Sequence, residues 1–141
     1  MNTSTTLNKN TKSIENLYKA FAIGDISAVL AIMDSKIIWN EAESNSLADG
    51  NPYIGPDAVL KGVFARIGDL YESFTLQNIE LHEMSNNKVL ATLRYHLKVK
   101  ATGREVNAQA AHFYTFNNGK ITAFQQYVDT KKLADAEELI S

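Results

Sequence analysis

The chain of 141 residues has no cysteine, so disulfides, thiolate metal sites and cysteine nucleophiles are excluded. No apolar run approaches the roughly 18 residues of a membrane-spanning helix. A formal charge of -2 supplies no electrostatic reason to bind nucleic acid or an anionic membrane surface. Glycine-rich dinucleotide and nucleotide loops, H-E-x-x-H and the G-x-S-x-G elbow are all missing, so those chemistries have no support. The stretch Met1 to Lys12 is rich in Asn, Thr and Ser without the apolar core of a secretory signal. Residues 1–12 therefore read as a flexible tail and 13–141 as one domain of a cytoplasmic protein, long enough to bury its own core.

Helical periodicity comes first along that domain. Ser13 is a candidate cap for a helix burying Ile14, Leu17, Tyr18 and Phe21 at i, i+3, i+4 and i+7 spacing. Gly24 ends it, and Asp25 opens a second helix with Ile26, Val29, Leu30 and Met33 facing in. Lys36 to Glu41 reads as a short strand, followed by a polar loop through Asn45 and Asp49. Gly55-Pro56 then starts a third helix whose apolar face carries Val59, Val63, Phe64, Ile67, Leu70 and Tyr71.

From Phe74 onward the pattern is strand. Between Phe74 and Met84 the apolar parity changes, which predicts a β-bulge near Gln77-Asn78. Val89 to Val99 and Val106 to Phe116 alternate cleanly, and Asn118-Gly119 is a strong two-residue hairpin signal. A last helix begins near Thr130 with Leu133, Ala136 and Ile140. Two-residue loops at Thr102-Gly103 and Asn118-Gly119 set the register by counting: Tyr95 faces Ala110, Leu93 faces His112, and His112 faces Gln125. The same count puts Tyr127 and Asp129 on the buried face. Helices followed by a strand meander make an α+β fold with helices covering one sheet face.

Polar groups on an otherwise apolar concave face point to a site for a small apolar or amphipathic ligand. Asp129 fits two roles. As a dehydrated carboxylate it is a general base; as the residue before a helix it is an N-cap. His112 sits mid-strand, where a satisfied core histidine and a site residue are both open readings. Trp39, Asn40, Glu41 and Glu43 flank the loop to Tyr53, and parity leaves open whether Trp39 and Glu41 or Asn40 points inward. The Tyr53 hydroxyl suits an oxyanion or carbonyl donor if the loop closes over the cavity. His82 and His96 lie too far along the chain from His112 to argue for a metal site. Arg94, His96, Lys98 and Lys100 make a basic stripe on the opposite face.

The run "IWNEAESNSLADGNPYIGPDAVLKGVF", the ending "NNGKITAFQQYVDT" and the order of elements resemble the NTF2-like superfamily, in its SnoaL-like, ketosteroid-isomerase-related branch. The resemblance spans about Ser13 to Ala134 and rests most on Tyr53-x-Gly55-Pro56 and Gly119-Lys120-Ile121 with Tyr127-Val128-Asp129. It implies a cone: a strongly curved, mostly antiparallel sheet wrapped around N-terminal helices, with a short C-terminal helix, commonly as a homodimer. Members include isomerases, polyketide cyclases, dehydratases and plain binding modules, so the fold does not fix the activity. Asp129 falls where several such enzymes keep a pocket aspartate. Limonene-epoxide hydrolases carry Arg-x-Asp where this chain has Leu93-Arg94-Tyr95, so their route is not supported. Ketosteroid isomerases place their base on the first strand, where this chain offers Asn40 or Glu41.

The expectation is an enzyme that moves a proton on a small carbonyl compound without cofactor or metal. Asp129 or Glu41 is its base, and Tyr53 and His112 polarise the carbonyl. Trp39, Tyr95, Gln125, Tyr127, Tyr18 and Phe64 form the ligand walls. The alternatives are a non-catalytic binding module that uses Trp39, Tyr95 and Tyr127 as an aromatic clamp, or a dimerising protein whose cone is filled by Tyr18, Phe21 and Phe64.

Overall fold

A computed structural model of the chain describes residues 3–138, with side chains from Lys9 onward. The element order is α1 (Thr3–Ala22), α2 (Ile26–Ala31), β1 (Met33–Asn40), a 3₁₀ turn (Ser46–Gly50), β2 (Tyr53–Ile54), α3 (Pro56–Val59), a π-helical turn (Leu60–Phe64), α4 (Ala65–Leu70), β3 (Tyr71–Met84), β4 (Lys88–Val99), β5 (Glu105–Asn117), β6 (Lys120–Val128) and α5 (Thr130–Glu137). One curved six-stranded sheet runs in the order β2-β1-β6-β5-β4-β3, antiparallel except for the β1–β6 pair. The α+β reading holds, with helices against the inner sheet face.

Helix α1 starts at Thr3, ahead of the Ser13 start that capping chemistry indicated, and packs across β3 and β4. Its Ile14, Leu17 and Tyr18 are buried as the periodicity required. Met33 begins β1 instead of ending α2, and Tyr71, extended at φ -119° and ψ 134°, begins β3 instead of ending the third helix. Ile140 lies outside the described residues. The third helix is continuous in the sequence pattern but carries a π-helical turn midway.

A bulge in β3, a longer β4–β5 connection and a bulge in β6 set the register across the strands that carry the inner face. The bulge in β3 lies where parity placed it: register shifts between Gln77 and Glu80, and Asn78 takes φ 55°. The β4–β5 connection is longer than two residues. Val99 N–H donates to the Arg104 carbonyl, and Gly103 N–H to the Val99 carbonyl. Tyr95 therefore faces Ala108 and Ala91 faces His112, two positions from the counted register. A shift of two leaves every side chain on its own face.

The β5–β6 hairpin departs more consequentially. Asn118 and Gly119 take φ 52° and 78°, as a two-residue turn of this kind needs, and Asn117 pairs with Lys120. Past the turn, Phe116 faces Ile121 but Thr115 faces Ala123, so Thr122 is an extra residue. The bulge reverses the remaining strand. His112 faces Gln126, not Gln125, and Ala111 faces Tyr127. Phe124 and Gln126 are buried, whereas Tyr127 is 58% exposed.

Candidate functional site

Four polar or charged side chains are buried among the described residues: Glu41, Asn45, His112 and Gln126. All four line one internal cavity, together with Tyr18, Trp39, Phe64, Tyr95 and Tyr114. Buried polar groups need partners, so their gathering marks the place where the interior departs from simple packing.

The network starts from backbone. Ala42 N–H donates to Gln126 Oε1 at 3.0 Å, and Asn45 Nδ2 donates to the same oxygen at 2.9 Å. A main-chain N–H only donates, so this contact fixes which end of the Gln126 amide is oxygen. Gln126 Nε2 must then donate to the Tyr95 hydroxyl, at 2.7 Å. That hydroxyl is hydrogen-bonded to His112 Nε2. On the other side of the ring, His112 Nδ1 meets the Tyr18 hydroxyl at 2.7 Å, and Tyr18 meets the Tyr114 hydroxyl at 2.9 Å. Burial drives the His112 pKa down from 6.5 to about 3, so the imidazole is neutral at ordinary pH. Burial likewise raises the Tyr18, Tyr95 and Tyr114 hydroxyls above the usual phenol range, which keeps them protonated.

Glu41 stands just beyond the end of β1 and is 3% exposed. Trp39 and Glu41 both point inward, which settles what strand parity left open. Glu41 Oε2 accepts the Trp39 indole N–H at 2.8 Å. The Trp39 ring is stacked on Phe124, with centroids 3.7 Å apart, and meets Phe64 edge-on. Asn51 holds the Glu41 main chain by a reciprocal pair, with Oδ1 accepting from Glu41 N and Nδ2 donating to Glu41 O. Burial pushes the carboxyl from 4.5 to about 7, while the indole N–H pulls it back down. No cation among the described residues offsets the charge, so it titrates near neutrality, where a general base works best.

The space between the walls is about 610 Å³ counting the part open to solvent, of which about 50 Å³ admits the centre of a water molecule. The smaller figure governs what fits without movement: a few waters, at about 10–15 Å³ of such space each. Beside it runs a wider groove between α1 and β3, which shares Tyr18, Phe21, Phe74 and Leu76 with the cavity. The Phe21 ring meets Phe64 at 6.0 Å and Phe74 at 6.2 Å, forming the lip between the two spaces.

Of the residues singled out from sequence, Glu41, His112, Trp39, Tyr95, Tyr18 and Phe64 come together around this cavity. The others do not. Asp129 is the N-cap of α5, accepting Lys132 N–H at 3.2 Å, and is absent from the cavity wall. Tyr53 is buried but turned elsewhere. Its hydroxyl donates to the Leu47 carbonyl at 2.6 Å and approaches Asp49, which is paired with Arg66. Gln125 and Tyr127 sit on the outer face because Thr122 is bulged out. Gln126, Asn45 and Tyr114 were not singled out. The signal for Gln126 was present: Ile121 and Phe124 are large apolar residues of opposite parity, the same cue that located the bulge in β3.

A family model described as SnoaL-like domain matches residues 14–124. The chain belongs to that family. No curated protein matches it. Among solved structures it is similar to an NTF2-like protein from Burkholderia thailandensis E264, with 26% identity, a TM-score of 0.85, and coverage of 92% of this chain and 98% of that one. A proposed polyketide cyclase from Xanthomonas campestris pv. campestris shares 21% identity with a TM-score of 0.80, covering 93% and 98% of the two chains. TerC, co-crystallized with polyporic acid, shares 20% identity at a TM-score of 0.80, with 93% and 99% covered. The SnoaL-like fold therefore has the curved sheet and helical cover that the resemblance implied. No described helix is long and apolar enough to cross a membrane.

Proposed function

We propose that this SnoaL-like protein is an acid–base catalyst that moves a proton on a small carbonyl compound, in the manner of an isomerase or cyclase. The observation that carries this reading is Glu41, the one buried carboxylate among the described residues, with its pKa raised to about 7 against the wall of an internal cavity. A purely structural carboxylate at that depth costs stability, and no cation among the described residues compensates it, which favours catalysis over passive binding.

The chemistry follows from the surroundings. Ionised Glu41 takes a proton from the carbon next to the carbonyl, negative charge moves to the carbonyl oxygen, and a phenol of the His112 network donates to that oxygen. Protonated Glu41 then returns its proton to a different carbon of the same molecule. Dry walls of Trp39, Phe64 and Phe124 strengthen each of these interactions. The fold's likeness to a proposed polyketide cyclase, whose name implies carbonyl-rich substrates, is consistent with this class. Asp129 and Tyr53 have no part in it.

The homodimer expected from the resemblance is also part of this reading. The outer sheet face presents Ile38, Ile54 and Tyr127, all more than 45% exposed, and a second copy of the chain would cover them.

The test uses a β,γ-unsaturated cyclohexenone, whose conversion to the conjugated isomer is followed by ultraviolet absorbance. Wild-type protein should accelerate conversion with a rate that rises through about pH 7, following ionisation of Glu41. Glu41→Gln should lower the rate by about 10²–10⁴-fold, the usual contribution of a general base. An unchanged rate in that variant refutes the assignment.

A further inference from the structure

The hydrogen-bonded chain Tyr95–His112–Tyr18–Tyr114 holds more protons than it has links. Three phenols and one neutral imidazole carry four protons between them, and three contacts of hydrogen-bond length join them: Tyr95 to Nε2, Nδ1 to Tyr18, and Tyr18 to Tyr114. Each link uses one proton. The further approach of Tyr114 to Nδ1, at 3.4 Å, does not absorb the fourth. When Nδ1 carries hydrogen it cannot accept, and when it is bare its single lone pair already faces Tyr18. Gln126 offers no outlet, because Ala42 N–H fixes its oxygen away from Tyr95.

One O–H is therefore always uncommitted, and the His112 tautomer decides whether it is that of Tyr95. With hydrogen on Nδ1, Tyr95 donates to Nε2 and Nδ1 donates to Tyr18, so the proton left over belongs to Tyr18 or Tyr114, either of which can donate in the link between them. With hydrogen on Nε2, every bond runs toward Tyr95, from Tyr114 through Tyr18 and the ring, and the Tyr95 proton is free. All three phenols line the cavity and are at least 94% buried, so the free O–H can be satisfied only from inside it.

We propose that Tyr95 is the donor to the ligand's carbonyl oxygen and that His112 is the positioning residue, releasing the Tyr95 proton by holding its own on Nε2. In that state the Tyr95 oxygen accepts two N–H bonds, from Gln126 and from His112, and each polarises its O–H toward a stronger donor. A free hydroxyl in the opposite state, on Tyr18 or Tyr114, accepts at most one N–H bond. Gln126 is anchored on Ala42, the residue after Glu41, so the Tyr95 end of the chain is also the end tied to the base. The ligand class follows: a molecule whose acceptor oxygen lies close to an acidic C–H, as in an enolisable ketone. This rests on the carbonyl reading above and adds which group binds the oxygen.

The experiment uses conjugated cyclohexenone as the probe and reads its carbonyl stretch by infrared difference spectroscopy. A bound carbonyl should shift to lower frequency in wild-type protein, lose that shift in Tyr95→Phe and keep it in Tyr114→Phe. In parallel, nitrogen NMR on labelled wild-type protein should find His112 in the Nε2–H form when the probe saturates. That second readout needs no variant, so it stands if Tyr95→Phe fails to fold. A shift that depends on Tyr114 instead, an Nδ1–H complex, or a probe that neither binds nor shifts overturns the proposal. The two claims separate in Glu41→Gln. If that variant isomerises normally while the Tyr95-dependent shift persists, the base assignment fails and the donor assignment stands. If isomerisation needs Glu41 but the shift ignores Tyr95, the donor assignment alone fails.

Discussion

Replacing Glu41 by glutamine keeps the volume of the side chain and an oxygen for the Trp39 indole to donate to, but removes the ionisation. The consequence for stability is calculable. In the unfolded chain the carboxyl titrates near 4.5, and in the fold near 7. A carboxyl raised in this way holds its proton more tightly when folded, so its contribution is fully present below about pH 4.5 and is lost as pH climbs through about 7. At about 1.4 kcal/mol per pH unit, the loss amounts to about 3 kcal/mol. His112 works in the opposite sense. Its folded pKa is depressed to about 3 from 6.5, so its contribution is present above about pH 6.5 and fades as pH falls toward 3. Between about pH 4.5 and 6.5 the two slopes oppose each other and cancel in the wild type. Urea denaturation of both proteins from about pH 4 to about pH 8 should show Glu41→Gln gaining on the wild type by about 3 kcal/mol across that range, most of it between the two Glu41 values. A difference that stays constant with pH would mean that the carboxyl titrates normally. Glu41 would then be no base poised near neutrality.

Three further outcomes check the geometry. Asp129→Ala should cost about 1 kcal/mol through loss of the α5 cap while Asp129→Asn costs little, and turnover should be unchanged in both; a slow but stable Asp129→Asn protein contradicts this. Gly62→Ala would place a Cβ 2.1 Å from Tyr53 Cε1, so thermal denaturation should register about 1–3 kcal/mol of overpacking, reduced when Tyr53 is also shortened to leucine. Ile54→Lys on the outer sheet face should convert dimer to monomer in sedimentation velocity, and a wild type that sediments as a monomer removes the second copy from the account.

The outline of the fold was legible because strand alternation and turn chemistry are local. Val89 to Val99 announced its buried face residue by residue, and Asn118-Gly119 fixed its own hairpin. The bulge at Gln77-Asn78 was also written in parity. Thr122 was overlooked because only Ile121 and Phe124 reveal it, and the strand beyond offered polar residues in both phases. Counting from the turn then carried Gln125, Tyr127 and Asp129 inward together. The cavity's walls were partly legible: His112 and Tyr95 follow from alternation, and Tyr18 from the α1 stripe. Their meeting was not. Tyr18 and His112 lie 94 residues apart, and nothing in either segment's periodicity specifies that the hydroxyl reaches the ring. The burial of Glu41 depends on how the polar loop after β1 turns back, with Asn51 gripping its main chain, which is tertiary information.

The extra residue at Thr122 has a bearing beyond this chain. Removing it would leave the hairpin and the outline of the cone intact while exchanging the inward set Phe124, Gln126 for Gln125, Tyr127. A change in strand length by one position thus substitutes a whole column of chemistry at once, without any point replacement at the site. Cones of this shape can diverge in what they act on through insertions and deletions far from the reacting groups, and comparing such proteins position by position from the turn would misassign their interiors.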